Sequence, residues 1–315
     1  MIETIARELE QGTRLCLTIL PFMFAGCLAG SLMAHCKFGT RRRAFFSPIA
    51  RLSGLHGPAT IYLPLCFLDH HSANAYLSSL SRKGVVRKRG ILGIYLIGFF
   101  PSSLYFHIFF TAPILYPVLG FETATTVLGL YLLASLLTFC CGVVLTRFVS
   151  SPDRQPPVQD ASCQTDRPAW RMIMRDAAGQ FRRMAIIFVP CILAVELLLA
   201  VPAVQSAMDK ADVFLAWFEV PSEGALVAMS ALPNIMVGYA TAATCLDDSL
   251  ITLAQIPKIL MLAALGNVVF STFSYFFSAN VAAFGTRRGT YLTFAGLGVR
   301  LPWLFLSLYL ASLIE

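Results

Sequence analysis

Charge is scarce in this sequence. Of 315 residues only 13% are charged, whereas 57% are hydrophobic and the mean hydropathy is +0.70. Soluble globular proteins carry roughly 25% charged residues, so the composition excludes an ordinary soluble domain and predicts a polytopic membrane protein. The net charge of +7 does not indicate nucleic-acid binding, because the basic residues lie in short loops between apolar segments, where they act as topology signals. The predicted partner is the lipid bilayer.

The signatures of several enzyme and metal-site classes are also absent. The nine cysteines include no CxxC pair, and most lie in apolar segments, where cysteine behaves as a small hydrophobic residue. The HEXXH motif of zinc proteases and the GxSxG motif of α/β hydrolases do not occur. Neither does the GxxxxGK[ST] phosphate loop. The sequence therefore predicts neither an enzyme, nor a cofactor, nor disulfides.

Apolar segments alternate with basic loops in a pattern that predicts six membrane spans. They lie at about residues 15–34, 90–110, 123–146, 184–202, 258–284 and 290–314. Amphipathic helices are expected at 1–12 and 169–183. Because lysine and arginine favour the cytoplasmic side, we predict cytoplasmic basic loops, a cytoplasmic linker at 150–168 and both termini outside. This describes a multi-pass protein of the cytoplasmic membrane.

Helix-breaking residues interrupt two further apolar stretches, at 52–81 and 223–255. The first contains Gly54, Gly57 and Pro58, and basic loops flank it on both sides. The chain should therefore enter and leave the membrane on the same side, while each arm is shorter than the ~20 residues that a span requires. A re-entrant helical hairpin satisfies both conditions, and two short full spans are the alternative.

The two halves of the sequence repeat the same order of elements. Short matches pair Gln11 with Gln180, Arg14 with Arg183, Ser53 with Ser230, Leu68-Asp69 with Leu246-Asp247, and Ser102-Ser103 with Ser271-Thr272. Repeat 1 would cover residues 1–149 and repeat 2 residues 169–315, each with three spans and one hairpin. An odd number of crossings inverts the second repeat, which is typical of secondary transporters with a site between the halves. The predicted fold is an all-α integral membrane protein built from two inverted-topology repeats.

Four short motifs resemble those of the Gate, or nucleoside-recognition, family of membrane proteins. They are residues 54–59 (GLHGPA), 73–84, 100–103 (FPSS) and 230–234 (SALPN). The family includes the membrane part of FeoB-type ferrous iron permeases and is compared with concentrative nucleoside transporters. The resemblance implies a membrane permease fold with paired broken helices. His56 stands where the iron permeases are expected to carry a cysteine.

Polar side chains inside the apolar segments are the candidate site residues, because lipid does not solvate them. The predicted substrate-binding residues are His56, Gly57, Asn74, Ser102, Ser103, Asn234, Ser271 and Thr272. The predicted ion-coupling residues or charge pairs are Asp69, Asp247, Asp248, Glu196 and Arg300. A metal path would use His56, Asp69, His70, His71 and His107, since imidazole and carboxylate suit divalent cations. Structural roles are the alternative for each, as helix caps or as polar contacts between spans.

The sequence therefore predicts a secondary transporter for a small polar, nucleoside-like solute, with or without ion coupling. It would work by alternating access at a site that both hairpins form. Two other functions are left open, namely a divalent metal permease that uses histidines and Asp69 of the first hairpin, and a non-transporting membrane scaffold or assembly factor. The oligomeric state is left open as well.

Overall fold

A computed structural model describes residues 47–55, 57–68, 70–86, 90–149, 170–199 and 220–314, together with single positions between 10 and 31. Within this part of the chain every regular element is helical, which confirms the predicted all-α class. The predicted amphipathic helix at 1–12, most of the span at 15–34 and the linker at 150–168 lie outside the described residues.

The described part of the chain contains eleven named helices. In chain order they are α1 (Tyr62–Leu68), α2 (His70–Arg82), α3 (Ile91–Ile97), α4 (Phe99–Phe106), α5 (Ala112–Val149), α6 (Trp170–Leu199), α7 (Ser222–Ala231), α8 (Ile235–Asp247), α9 (Ile256–Ser271), α10 (Phe277–Phe284) and α11 (Thr286–Ile314). A 3₁₀ turn at Gly57–Ile61 precedes α1, and π-helical turns at His107–Thr111 and Thr272–Phe276 follow α4 and α9. The amphipathic helix expected at 169–183 and the span expected at 184–202 form the single helix α6.

Among the described residues, three helical segments are long and apolar enough to cross a membrane, namely Ile91–Phe148, Ile256–Phe284 and Thr286–Ile314. Large apolar side chains on their outer surfaces are exposed, among them Phe148, Phe121 and Leu313. An aqueous solvent would disfavour this exposure and a lipid solvent favours it. The protein is therefore a helical membrane protein.

The 58-residue segment Ile91–Phe148 folds back on itself at Gly120. Gly120 has φ 74° and ψ 174°, a backbone conformation that favours glycine. The two arms then pack so closely that a Cβ at Gly142 would lie 2.8 Å from the carbonyl oxygen of Gly93. Gly285, with φ 81° and ψ 161°, separates α10 from α11 in the same way. The four resulting arms contain the segments predicted as spans at 90–110, 123–146, 258–284 and 290–314.

Each of the two broken stretches contains a pair of short packed helices. α1 packs against α2 within the first stretch, and α7 packs against α8 within the second. Asn234 begins α8, because its side-chain oxygen accepts a hydrogen bond from the backbone N–H of Met236 at 3.1 Å. A Cβ at Gly238 would lie 2.5 Å from the Cβ of Ala231, so the close approach of α8 to α7 requires glycine there.

Element bounds in the first half recur 165 residues later in the second. α2 and α8 are both 13 residues long and begin at His70 and Ile235. The same separation relates the two π-helical turns, the two turn glycines Gly120 and Gly285, and the starts of α3 and α9. It also relates Gly84 (φ 73°) to Ser249 (φ 58°), which have positive φ in the loops after α2 and α8.

This correspondence corrects the pairing that the sequence matches indicated. Ser102 corresponds to Asn267, whereas the sequence matches placed it opposite Ser271. Asp247 ends α8 and corresponds to Arg82, at the opposite end of the helix from the position of Asp69. The two acids are therefore not equivalent. Asp248 follows the end of α8 and begins no helix, so the helix cap suggested for it is wrong. Local sequence similarity between the halves is too weak to define the register.

Candidate functional site

A cavity of about 270 Å³ lies where helices from both halves meet. Its described lining consists of His70, Phe99, Ser102, Ser103, Phe106, His107, Tyr131, Ala134, Ser135, Thr138, Ile235, Tyr239, Ala264, Asn267, Val268, Ser271, Phe276, Arg300 and Leu304. Hydroxyl, amide, imidazole and guanidinium groups alternate with aromatic rings on its walls. A concave space with a few polar groups among apolar ones is typical of a small-molecule site.

Corresponding residues of the two halves face this cavity together. Six pairs in the lining are separated by 165 residues: His70 and Ile235, Phe99 and Ala264, Ser102 and Asn267, Ser103 and Val268, Phe106 and Ser271, and Ser135 and Arg300. They account for 12 of the 19 lining residues. The cavity therefore lies on the surface that the two halves share. The two residues differ in each of the six pairs, so the two halves contribute different chemistry to the wall.

The charge of the described lining comes from a single residue, Arg300 of α11. Its guanidinium lies over the ring of Phe99, 4.4 Å from the ring centroid, a distance at which a cation is attracted to an aromatic face. His70, the first residue of α2, packs on the same ring with 5.0 Å between centroids. No carboxylate is among the described residues of the cavity wall.

His107 forms a rigid part of the opposite wall. Its ring stacks on Tyr131 at 4.8 Å and 13°, and its Nδ1 lies 3.2 Å from the hydroxyl oxygen of Thr111. The hydroxyl of Tyr131 in turn donates to the carbonyl oxygen of Leu260 at 3.1 Å. Because these contacts fix both rings, this wall presents a preformed surface to a bound molecule.

The serine hydroxyls of α4 are available to a bound molecule. Ser102 and Ser103 have no side-chain hydrogen bond to another described residue. By contrast, the Ser271 hydroxyl donates to the carbonyl oxygen of Val268 at 3.2 Å, as serines inside helices often do. The two serines of α4 are thus the better candidates for direct contact with a solute.

Asn267 connects the cavity to the second hairpin. Its Nδ2 donates hydrogen bonds to the carbonyl oxygens of Ala231 at 2.8 Å and Leu232 at 3.0 Å. These carbonyls lie at the end of α7, where the helix leaves them without intrahelical partners. The break between α7 and α8 is therefore held against α9 beside the cavity.

Asn74, one of the predicted substrate contacts, belongs instead to a buried network beside the cavity. It accepts from the hydroxyl of Tyr62 at 3.1 Å and donates to Oδ1 of Asn280 at 3.3 Å. Asn280 donates in turn to the hydroxyls of Tyr95 and Thr293, each at 3.0 Å. The network joins α2 of the first half to α10 and α11 of the second.

Other predicted site residues also lie away from the described cavity lining. Thr272 is buried in a π-helical turn, where its hydroxyl donates to Val268 O at 2.6 Å. Asn234 caps α8, and Gly57 begins the 3₁₀ turn. Asp247 and Asp248 are exposed at the end of α8. His56 and Asp69, with the side chains of His71 and Glu196, lie outside the described residues, so the proposed Glu196–Arg300 pair stays a prediction.

The structure thus brings together six of the predicted residues: His70, His107, Ser102, Ser103, Ser271 and Arg300. Within the part of the chain that is described, no group of three potential metal ligands occurs. Sequence reasoning missed one wall, which α5 contributes at positions 131, 134, 135 and 138. Their spacing of three and four residues marks one helix face, and the Tyr, Ser and Thr on it were the available signal.

The chain shows a weak similarity to a known protein. It is 22% identical over 248 residues to the uncharacterized protein MJ1589 of Methanocaldococcus jannaschii, an alignment that covers 78% of this chain and 95% of that protein. No protein-family model and no solved structure matches the chain. The function is therefore argued from the geometry of the cavity.

Proposed function

We propose that this protein is a multi-pass membrane permease, a secondary transporter that moves a small polar solute through the cavity between its halves. The observation that carries the proposal is the set of six lining pairs separated by 165 residues. Transporters built from inverted repeats bind their substrate at the interface of the repeats, beside discontinuous helices. Here His70 and Ile235, the first residues of the two corresponding helices α2 and α8, both reach the cavity.

The proposed topology has six spans and two re-entrant hairpins in the cytoplasmic membrane. The four arms joined at Gly120 and Gly285 would be spans 2, 3, 5 and 6, and the segments at 15–34 and 184–202 would be spans 1 and 4. The hairpins would be α1–α2 and α7–α8. Basic loops and the linker would face the cytoplasm, with both termini outside.

Alternating access requires the arms to move relative to the hairpins around the cavity. The two π-helical turns support this role, because each lies in an arm and supplies a lining residue, His107 or Phe276. π-Helical turns inside α-helices occur frequently at functional sites. We propose that each arm bends at its π-helical turn to open the cavity to one side at a time.

The alternative functions have less support from the described residues. A divalent cation would enter a lining that contains Arg300 and no described carboxylate, so charge repulsion would oppose its binding. A scaffold has no need of a polar cavity with free serine hydroxyls. The scaffold is an outcome of the transport experiment below.

Proteoliposomes that contain the purified protein test the proposal. They are preloaded with an unlabelled solute from a panel of nucleosides, organic anions and metabolite-sized polar molecules, and counterflow of the labelled solute is measured. We expect saturable exchange that the double substitution Ser102→Ala and Ser103→Ala reduces by about tenfold, as two lost hydrogen bonds would. Ser278→Ala is the matched control, because Ser278 is exposed on the bundle surface.

Two results would contradict the proposal. Absence of exchange for every solute, in liposomes where the protein is folded and oriented both ways, would favour a scaffold. Equal exchange in the double serine variant and in the Ser278→Ala control would move the transport path away from this cavity.

A further inference from the structure

The charge of the cavity indicates which class of solute it accepts, an inference that rests on the proposed transport function. Among the 19 described lining residues Arg300 carries the one permanent charge, and acids are missing from this set. A guanidinium that faces a low-dielectric cavity needs an anionic or strongly polar partner, since an uncompensated buried charge is costly. The electrostatics therefore favour a solute that supplies a negative charge.

The position of Arg300 suits such a partner. The Cζ of its guanidinium lies over the Phe99 ring, 4.4 Å from the ring centroid, and a guanidinium that packs on an aromatic ring can still form hydrogen bonds through its N–H groups. The edge of a guanidinium matches the two oxygens of a carboxylate or phosphate in a bidentate pair. Ser135, the residue that corresponds to Arg300 in the first half, lines the same cavity, but its hydroxyl donates to the carbonyl oxygen of Leu132 at 2.9 Å.

Two helix ends add to the positive potential. α2 and α8 both begin at the cavity, with His70 and Ile235 in its lining. Helix N-termini carry a partial positive charge that attracts anions, although in α8 the N–H of Met236 already donates to the side chain of Asn234. These helix ends reinforce the preference that Arg300 establishes, although neither would define a site alone.

The remaining lining limits the size and shape of the solute. A volume of about 270 Å³ lies just below the range of roughly 300–1,000 Å³ for sites that hold drug-sized ligands. Phe99, Phe106 and Phe276 offer apolar ring surfaces, while Ser102 and Ser103 offer hydroxyls. This combination suits a small molecule with one anionic group, an apolar or planar body, and a few hydrogen-bonding groups.

We infer that the transported solute is a small organic anion whose carboxylate or phosphate group pairs with Arg300. No carboxylate among the described lining residues compensates the guanidinium, so a neutral nucleoside would add no counter-charge to it, and a metal cation would be repelled by it. The carboxylate and the phosphate share the required chemistry, and the experiment separates them.

Binding to the purified protein in lipid nanodiscs tests this inference. The probes are benzoate and glutarate as carboxylates, glycerol phosphate as a phosphate, uridine as a neutral nucleoside, choline as an organic cation, and Mn²⁺. Thermal shifts identify binders, because a ligand that binds the folded state raises Tm by mass action, and titration calorimetry then gives Kd. We expect at least one carboxylate or phosphate to bind, while uridine, choline and Mn²⁺ do not.

Substitutions of Arg300 test whether the anion binds through this residue. Arg300→Gln should weaken the anion Kd by roughly 10- to 100-fold, the loss expected for a hydrogen bond to a charged group. Arg300→Lys keeps the charge without the planar fork and should weaken it less. Arg288→Gln is the matched control, since Arg288 is exposed on the same helix, outside the lining, and it should leave Kd within twofold.

The outcomes distinguish this inference from the proposed function. Failure of every anion to bind in an Arg300-dependent manner would overturn the inference, and the Arg300→Lys variant decides the case if Arg300→Gln does not fold. If liposomes exchange uridine equally with wild-type and Arg300→Lys protein, transport stands and the anion inference fails. If an anion binds through Arg300 but no solute is exchanged, the anion site stands and the transport proposal fails.

Discussion

The hydroxyl of Tyr131 donates a hydrogen bond to the carbonyl oxygen of Leu260 at 3.1 Å, which joins α5 of the first half to α9 of the second. The corresponding positions in the opposite halves are Gly296 and Tyr95, and they are also in contact. A Cβ at Gly296 would lie 2.9 Å from Cε1 of Tyr95. The two halves therefore contact each other twice through corresponding positions. The tyrosine belongs to α5 in the first contact and to α3 in the second. This reciprocal arrangement is what an approximate two-fold relation between the halves produces.

The contact between Gly296 and Tyr95 predicts a destabilising substitution. Gly296→Ala would place a methyl group against the Tyr95 ring, and such overpacking costs about 1–3 kcal/mol. The matched control is Gly298→Ala, two residues along α11, where a Cβ would meet no atom within 4 Å. We expect the Tm of the purified protein to fall for the first variant and to stay constant or rise slightly for the second. Equal Tm values for both variants would contradict the close packing.

Substitution of Asn280 in the buried asparagine network is predicted to lower the stability of the protein and to leave its affinity for the solute unchanged. Asn280→Leu would leave Asn74, Tyr95 and Thr293 without their shared partner, and unsatisfied buried polar groups cost about 1–3 kcal/mol each. Asn74→Leu should cost less in the Asn280→Leu background than in the wild type, because the residues belong to one network. Denaturation of the two single variants and the double variant measures this coupling, and strictly additive effects would contradict it.

Asn267 is predicted to hold the second hairpin beside the cavity. Asn267→Leu removes both hydrogen bonds to the end of α7, so we expect faster amide hydrogen exchange in residues 231–238 and a lower Tm. The comparison variant is Ser271→Ala, which loses one bond to the carbonyl of its own helix and should leave exchange in the hairpin unchanged. Unaltered exchange in Asn267→Leu would show that other contacts hold the hairpin.

The proposed inverted topology predicts opposite exposure of two corresponding residues. Glu122 follows the Gly120 turn and Arg287 follows the Gly285 turn, 165 residues later, and both are exposed. In a cysteine-free background, Glu122→Cys should react with a membrane-impermeant maleimide from outside and Arg287→Cys only from the cytoplasm. Their opposite charges agree with this orientation, since basic residues favour the cytoplasmic side. Labelling of both from the same side would contradict the inverted repeat.

Much of the helical architecture could be predicted from local signals. The apolar segments at 258–284 and 290–314 coincide closely with α9–α10 and α11, because hydrophobic length and flanking arginines are local properties. The interruption at Pro233-Asn234 was likewise predictable, since proline and an N-capping asparagine act within one helical turn. Six cavity residues were found by asking which polar groups lipid would not solvate.

The errors have a common physical origin. Asn74 and Thr272 have the polarity of site residues, but hydrogen bonds to distant or local partners consume their polar groups. Asp247 matched Asp69 by residue type, yet it ends a helix where Asp69 precedes one. Residue type reports what a side chain can bind, and only its neighbours decide what it does bind.

From the sequence alone follow the membrane environment, the helical class, the positions of the breaks, and the choice of Ser102, Ser103 and Arg300 as candidates. These four features follow from hydropathy, from glycine and proline, and from isolated charged residues, because each of these signals acts over a few residues along the chain. The tertiary structure alone decided the 165-residue register and the six facing pairs of the cavity. These pairs line one cavity with residues that differ in type, as Ser135 and Arg300 do, and that lie far apart in the chain. Their pairing is set by how the arms and hairpins pack, which no local pattern encodes.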